Sequence, residues 1–238
     1  MDLQDKVLII TGASDGLGKG LALRLAKDKA RVVLLARNQD KLKAVKEEII
    51  KFSGKAEYFV CDVGKPEQVQ SVVKSIKSAY GKIDVLINNA GIWTTGPLEA
   101  HPIDKIKDLF ATNTLGTIFM TREVLPMMKA VKSGQILNVM SIAGVEEVDA
   151  YGIVYVATKH ALQGFTDTLK QELQGTGIKV MGFYPGGMAT NILAASGVKM
   201  EVDMKQMMRV EDIAEIIAFV LKQPTDVVID HFEVRKFT

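Results

Sequence analysis

Tyr155-Val156-Ala157-Thr158-Lys159 sets a phenol and an ammonium four residues apart, on one face if the segment is helical. The ordinary phenol pKa of about 10 is too high for efficient proton exchange near neutrality, and an adjacent cation favours the phenolate. The two residues are therefore a candidate acid–base unit. The spacing alone is common, because both residue types suit an exposed helix. The neighbouring Tyr151 is a decoy, since Tyr155 rather than a lysine follows it by four residues. Ser141 closes a short apolar run, where its hydroxyl either hydrogen-bonds a substrate carbonyl or ends a strand as a turn serine. Asn113, within Thr112-Asn113-Thr114, is a polar residue in an apolar helical stretch, of the kind that bonds locally or bends its helix.

A second constellation lies near the N-terminus. Thr11-Gly12-Ala13-Ser14-Asp15-Gly16-Leu17-Gly18 joins an apolar run to a helical pattern. Glycines there allow a tight turn and let free N–H groups at a helix N-terminus approach a pyrophosphate. The plainer reading is a turn capped by Ser14 or Asp15. The spacing is G-x-x-x-G-x-G rather than the commoner G-x-G-x-x-G. At the end of the next apolar run stands Ala36-Arg37-Asn38, with no carboxylate for a bare ribose hydroxyl. Arg37 is either a solvated surface charge or the partner of a 2′-phosphate, and on the second reading NADP(H) is favoured over NAD(H). Asp15 counts against this, because a carboxylate repels the same phosphate. Cys61-Asp62-Val63 and Asn88-Asn89-Ala90-Gly91 end two further runs. They read as structural turns, or as ligand contacts in which Asp62 accepts from an adenine amino group.

These residues need a scaffold that gathers the ends of several strands. Residues Lys6 to Thr11, Arg31 to Ala36, Ala56 to Cys61, Val85 to Asn88, Gln135 to Met140 and Lys179 to Tyr184 read as strands with nearly continuous apolar runs. Between them run amphipathic stretches, including Gly18 to Lys29, Asp40 to Phe52, Glu67 to Tyr80, Tyr155 to Gln174 and Val210 to Leu221. Such alternation predicts an α/β fold, a single-domain doubly wound parallel sheet with helices on both faces, over residues 1–238. The Met-rich segment Met188 to Arg209 breaks the rhythm. It reads as a substrate lid or as surface helices with Met filling gaps.

Composition agrees with one globular enzyme-sized unit. The 238 residues are 47% hydrophobic and 24% charged, which rules out general disorder. The net charge of +2, without long runs of one sign, argues against a dedicated nucleic-acid binder. The single cysteine, Cys61, forms no internal disulfide, and no Cys/His cluster offers a metal site. No apolar run reaches the roughly 18 to 20 residues that span a bilayer. A soluble, cytoplasmic, metal-free protein is expected.

The ordered set TGASDGLG, CDV, NNAG, Asn113, Ser141, YxxxK and Pro185-Gly186-Gly187-Met188-Ala189-Thr190 resembles the short-chain dehydrogenase/reductase family over essentially the whole chain. The resemblance implies a Rossmann-type fold and a tetrad of Asn113, Ser141, Tyr155 and Lys159. In that scheme Tyr155 gives a proton to a carbonyl oxygen as hydride arrives from the nicotinamide, and Ser141 holds the oxygen. Lys159 also binds the nicotinamide ribose, and Asn113 supports a water connecting to Lys159. The cofactor contacts it implies are Gly12, Ser14, Asp15, Gly16, Leu17, Gly18, Asp62, Val63, Asn89, Ala90, Gly91, Pro185, Gly186 and Thr190, with Arg37 beside them. Family members also imply a homodimer or homotetramer. The expected activity is hydride transfer between NADP(H) and a small or medium hydrophobic carbonyl or alcohol. The alternatives are a 3-oxoacyl carrier-protein reductase and a non-catalytic NADP(H) sensor. The Ser141-to-Tyr155 interval is one residue longer than the commonest family form, which predicts a differently shaped loop from Ile142 to Gly152.

Overall fold

The computed structural model describes residues 1–145, 152–192 and 206–237. Apolar runs become strands where turn residues bound them, and amphipathic runs become helices between. The order is β1 (Val7–Thr11), α1 (Gly16–Lys27), β2 (Arg31–Ala36), α2 (Gln39–Lys51), β3 (Lys55–Val60), α3 (Pro66–Tyr80) and β4 (Val85–Asn88). There follow α4 (Ile103–Phe110), a π turn (Ala111–Leu115), α5 (Gly116–Val131), β5 (Gly134–Val139), α6 (Ile153–Glu172), β6 (Ile178–Pro185), α7 (Val210–Leu221) and β7 (His231–Val234). Local signals set several ends: Asn38 caps α2 by accepting from the Lys41 N–H, and Pro66 opens α3 at a position whose missing donor costs nothing.

The strands form one parallel sheet in the order β3-β2-β1-β4-β5-β6-β7. The chain runs outward from β1 to β3, returns to the middle at β4 and then runs outward the other way. Both faces are covered, which explains the unbroken apolar strands. Along β1, Leu8 and Ile10 join a core with α1, α2 and α7, through Leu21, Leu42 and Ile217. Val7 and Ile9 join the opposite core with α3, α5 and α6, through Val73, Val124 and Leu169.

The doubly wound parallel sheet is as the sequence predicts, with the ends of the six expected strands displaced by at most one residue. The strand β7 was not foreseen. It is only four residues long, alternates exposed with half-buried positions, and is recruited by pairing with β6, from Gly182 with His231 to Pro185 with Val234. A buried polar chain crosses the second core. Asn88 donates to Asn138 (2.9 Å) and Thr121 (3.1 Å), and Asn138 donates to Thr166 (2.9 Å). It ties β4, β5, α5 and α6 in one register, the structural role open to the first Asn of the NNAG run.

Candidate active site

In a doubly wound sheet the crevice forms outside the carboxyl ends of the strands where the winding reverses. Here that point lies between β1 and β4. The loops after β1 to β6 open onto one cavity of about 1090 Å³.

The floor is made by two segments locked together. Thr11 Oγ1 accepts from the Asn89 and Ala90 N–H groups, both at 2.9 Å, and Asn89 Nδ2 donates to the Thr11 carbonyl at 2.9 Å. Little room is left. A Cβ at Gly18 would lie 2.3 Å from the Gly12 carbonyl oxygen, and one at Gly12 would lie 2.9 Å from Ala90 Cα, with φ +67° besides. The turn is thus a bare-backbone cradle at the start of a helix, the arrangement that suits a pyrophosphate. Asp15 caps α1 by accepting from the Gly16 N–H at 2.8 Å. Its carboxyl is held below the usual range chiefly by a hydrogen bond from Lys41, at 2.7 Å, against the opposing effect of burial.

Around this cradle the remaining strand ends stand in sequence. Arg37 lies exposed after β2, and Asp62 and Val63 follow β3, where Asp62 closes its own turn by accepting from the Gly64 N–H at 3.0 Å. At the end of β6, Pro185 and the following Gly186 line the wall, and Thr190 returns to sit against Gly16. Ser14, Asp15, Gly16, Leu17, Asn89, Ala90 and Gly91 also line the cavity, whereas Gly18 is buried behind it.

Across the cavity stand Ser141, Tyr155 and Lys159. Ser141 ends β5 in extended backbone and accepts from the Ala143 N–H at 3.2 Å. Tyr155 and Lys159 project from the first turns of α6, with the ammonium 5.6 Å from the ring centroid. Lys159 is 5% exposed, donates to the Val139 carbonyl at 3.1 Å, and burial brings its pKa down to about 8. One expectation is corrected here. The Tyr155 phenol is pushed up by burial, and what opposes this is a hydrogen bond with Ser141 rather than the ammonium. The Lys159 ammonium faces the ring at 5.6 Å from its centroid and donates to a backbone carbonyl.

Asn113 does not line the cavity. It is 1% exposed in the π turn, accepts from the Ile92 N–H at 2.8 Å, and donates to the Ile92 carbonyl at 2.9 Å and to Thr158 Oγ1 at 3.1 Å. Thr158 Oγ1 in turn donates to the Tyr155 carbonyl at 2.7 Å. Asn113 thus joins the loop after β4 to the helix carrying Tyr155 and Lys159. The expected helix irregularity is a widened turn, which aims the side chain inward.

Sequence reasoning missed three residues of this site. Lys41 lines the cavity and follows Arg37 closely at the start of α2, but nothing in its local sequence sets it apart from the other helix lysines. Thr11 and Thr158 lie inside the quoted motifs, but only tertiary contacts show what they bond. The Met-rich segment is described at its ends alone: Met208 donates to the Gly187 carbonyl at 3.0 Å and Ala189 to the Met208 carbonyl at 2.9 Å, so the segment leaves and re-enters at one point. Residues 193–205 and 146–151, including Tyr151 and most of the lengthened loop, lie outside the described residues. Among the described residues no three His, Cys, Asp or Glu side chains gather as a metal site.

A parallel sheet with a glycine cradle at its switch point, facing a serine, a tyrosine and a buried lysine, defines the class of α/β oxidoreductases. The family model for short chain dehydrogenases matches residues 6–201. The chain is 34% identical over 233 residues to an uncharacterized oxidoreductase of Staphylococcus aureus, covering 98% of each, and 35% identical over 242 residues to one of Listeria monocytogenes, covering 98% of this chain and 97% of the other. Among solved structures it resembles a metagenomic short-chain oxidoreductase in complex with NADP, at 31% identity, TM-score 0.87 and 100% coverage of both chains. It also resembles an alcohol dehydrogenase from the archaeon Thermococcus sibiricus complexed with 5-hydroxy-NADP, at 27% identity, TM-score 0.89 and coverage of 98% and 97%. The chain belongs to the short-chain dehydrogenase/reductase family and is an oxidoreductase with a Rossmann fold.

Proposed function

We propose that the protein is an NADP(H)-dependent carbonyl reductase, or in reverse an alcohol dehydrogenase, for small or medium hydrophobic substrates. The observation that carries this reading is the meeting of Ser141, Tyr155 and Lys159 with the glycine cradle and Arg37 around one cavity. NADP(H), when bound, would supply or accept the hydride. Gly12 to Leu17 would take the pyrophosphate, Arg37 the 2′-phosphate, Asp62 and Val63 the adenine, and Asn89 to Gly91, Pro185, Gly186 and Thr190 the nicotinamide half. Two relatives of known structure carry NADP or a derivative of it, which supports the preference.

Tyr155 would deliver a proton to the carbonyl oxygen in reduction and remove one from the hydroxyl in oxidation. Its raised pKa keeps the phenol protonated near neutrality, the form reduction requires. Ser141 would hold the reacting oxygen beside the phenol. Lys159, buried and titrating near 8, would orient the nicotinamide ribose and pass protons at Nζ. Asn113 would position the helix that presents both. Apolar side chains from Trp93, Ile142, Val156, Met188, Ile192 and Met207 line part of the remaining wall, beside Thr95, Lys105, Asp108 and Thr112, and that apolar part fits a hydrophobic substrate. In the same proposal the protein is cytoplasmic and forms a homodimer or homotetramer, checked by light scattering; no described helix is long and apolar enough to cross a membrane.

The test is loss of reduced-nicotinamide absorbance with NADPH and a panel of hydrophobic ketones and aldehydes. Turnover by the wild type and none by Tyr155→Phe, with cofactor still bound, supports the reading. Equal, negligible rates in both proteins would instead favour a dinucleotide sensor.

A further inference from the structure

The adenine-side rim of the cavity carries two cations of unlike status. Arg37 stands exposed at the end of β2 with no ion-pair partner among the described residues. Lys41, in the first turn of α2, also lines the cavity, but its Nζ is held by Asp15 Oδ2 at 2.7 Å. Both side chains of that pair are well exposed, at 55% and 39%, so water and salt weaken it.

Asp15 has partners besides Lys41. Its other oxygen accepts from the Gly16 N–H at 2.8 Å, and Asn191 Nδ2 reaches it at 3.3 Å. The Lys41 backbone is fixed as well, because its N–H donates to Asn38 Oδ1 at 2.9 Å. What is free to move is the four-carbon stem, which carries a point charge with rotatable donors. A phosphate monoester beside Arg37 would present about −1.5 to −2 charges against the single charge of a carboxylate.

We propose that Lys41 is the second cation for the 2′-phosphate of NADP(H): it is held by Asp15 in the free protein and exchanges that carboxylate for the phosphate when the dinucleotide binds. The proposal rests on the NADP(H) reading above. It also removes the objection raised by Asp15, since the carboxylate next to the phosphate loop serves as the resting partner of a cation that the phosphate needs.

The test is the ratio of NADH to NADPH dissociation constants, read by nicotinamide fluorescence on the full chain and its variants. In the wild type the ratio is expected to favour NADPH. Lys41→Met should lower it about tenfold, the worth of one charge-assisted hydrogen bond, and Lys41→Arg should restore most of it. Asp15→Asn keeps the capping oxygen but frees the lysine, and should tighten NADPH with little change in NADH.

If Arg37→Ala erases the preference while Lys41→Met leaves the ratio within about twofold of wild type, the Lys41 role fails alone. Equal weakening of both dinucleotides by Lys41→Met, or selective loss of NADPH in Asp15→Asn, overturns the exchange too. A wild type that binds NADH as tightly as NADPH would sink the NADP(H) reading itself, and this inference with it.

Discussion

Tyr155 is under two opposed influences, burial raising its pKa and the Ser141 hydroxyl lowering it. A donor must be protonated, so carbonyl reduction should be flat at low pH and fall as pH rises through the phenol pKa. Alcohol oxidation needs the phenolate and should rise over the same range. Initial rates in both directions from pH 6 to beyond the ordinary phenol pKa of about 10 check the sign; parallel profiles would remove Tyr155 as the shared group. Ser141→Ala loses the opposing hydrogen bond and should move the reductive limb to higher pH while lowering kcat about 10²- to 10³-fold. For Lys159 the sign runs through stability. Its folded pKa, about 8, lies below the ordinary lysine value of about 10.4, so the unfolded chain binds more protons between them and stability rises with pH there. Replacing the charge by Lys159→Met should stabilise the fold by about 1–3 kcal/mol at pH 7 and by less at pH 9.5, in urea unfolding at the two pH values.

At the scale of elements, the π turn and the β1–α1 turn decide how the site is presented. Asn113→Ala would leave both backbone groups of Ile92 without their partner and free α6 from the loop after β4. We expect about 2–4 kcal/mol less stability and a kcat loss that exceeds any change in KM, because the variant misplaces Tyr155 without touching substrate. Denaturant midpoints paired with kinetics separate the two effects. Gly18→Ala forces a methyl to within 2.3 Å of a backbone oxygen and within 2.6 Å of Asn89 Nδ2. The cradle must then open, costing about 1–3 kcal/mol and most of the dinucleotide affinity. An isolated affinity loss with unchanged stability would show that the Gly12–Gly18 contact is looser than these distances imply.

For the whole molecule, the cavity draws on the loops after six strands, so a dinucleotide that fills it should couple to global unfolding. Saturation at 100 times Kd adds about 2.7 kcal/mol, or about 5 to 10 °C in Tm for a chain of this length. NADPH should shift Tm further than equal NADH in differential scanning calorimetry. Equal shifts would indicate that the 2′-phosphate contributes nothing.

The chain's periodicity determined the class of fold, because continuous apolar strands alternating with amphipathic helices have few ways to bury both faces. The ordered motifs likewise picked out the glycine turn, Ser141, Tyr155, Lys159 and Arg37, which the fold brings around one cavity. Such information is local: a turn, a helix face or a strand end is written in adjacent residues. Pairing across the sheet was not legible, which is why β7 became a strand only beside β6 and why Asn113 proved to be a tie between the loop after β4 and α6. Lys41 beside Asp15, and Lys159 on the Val139 carbonyl, depend on distances between residues far apart in the chain. Three-dimensional packing alone sets those distances, and with them the balance of charge and burial on which each proton depends.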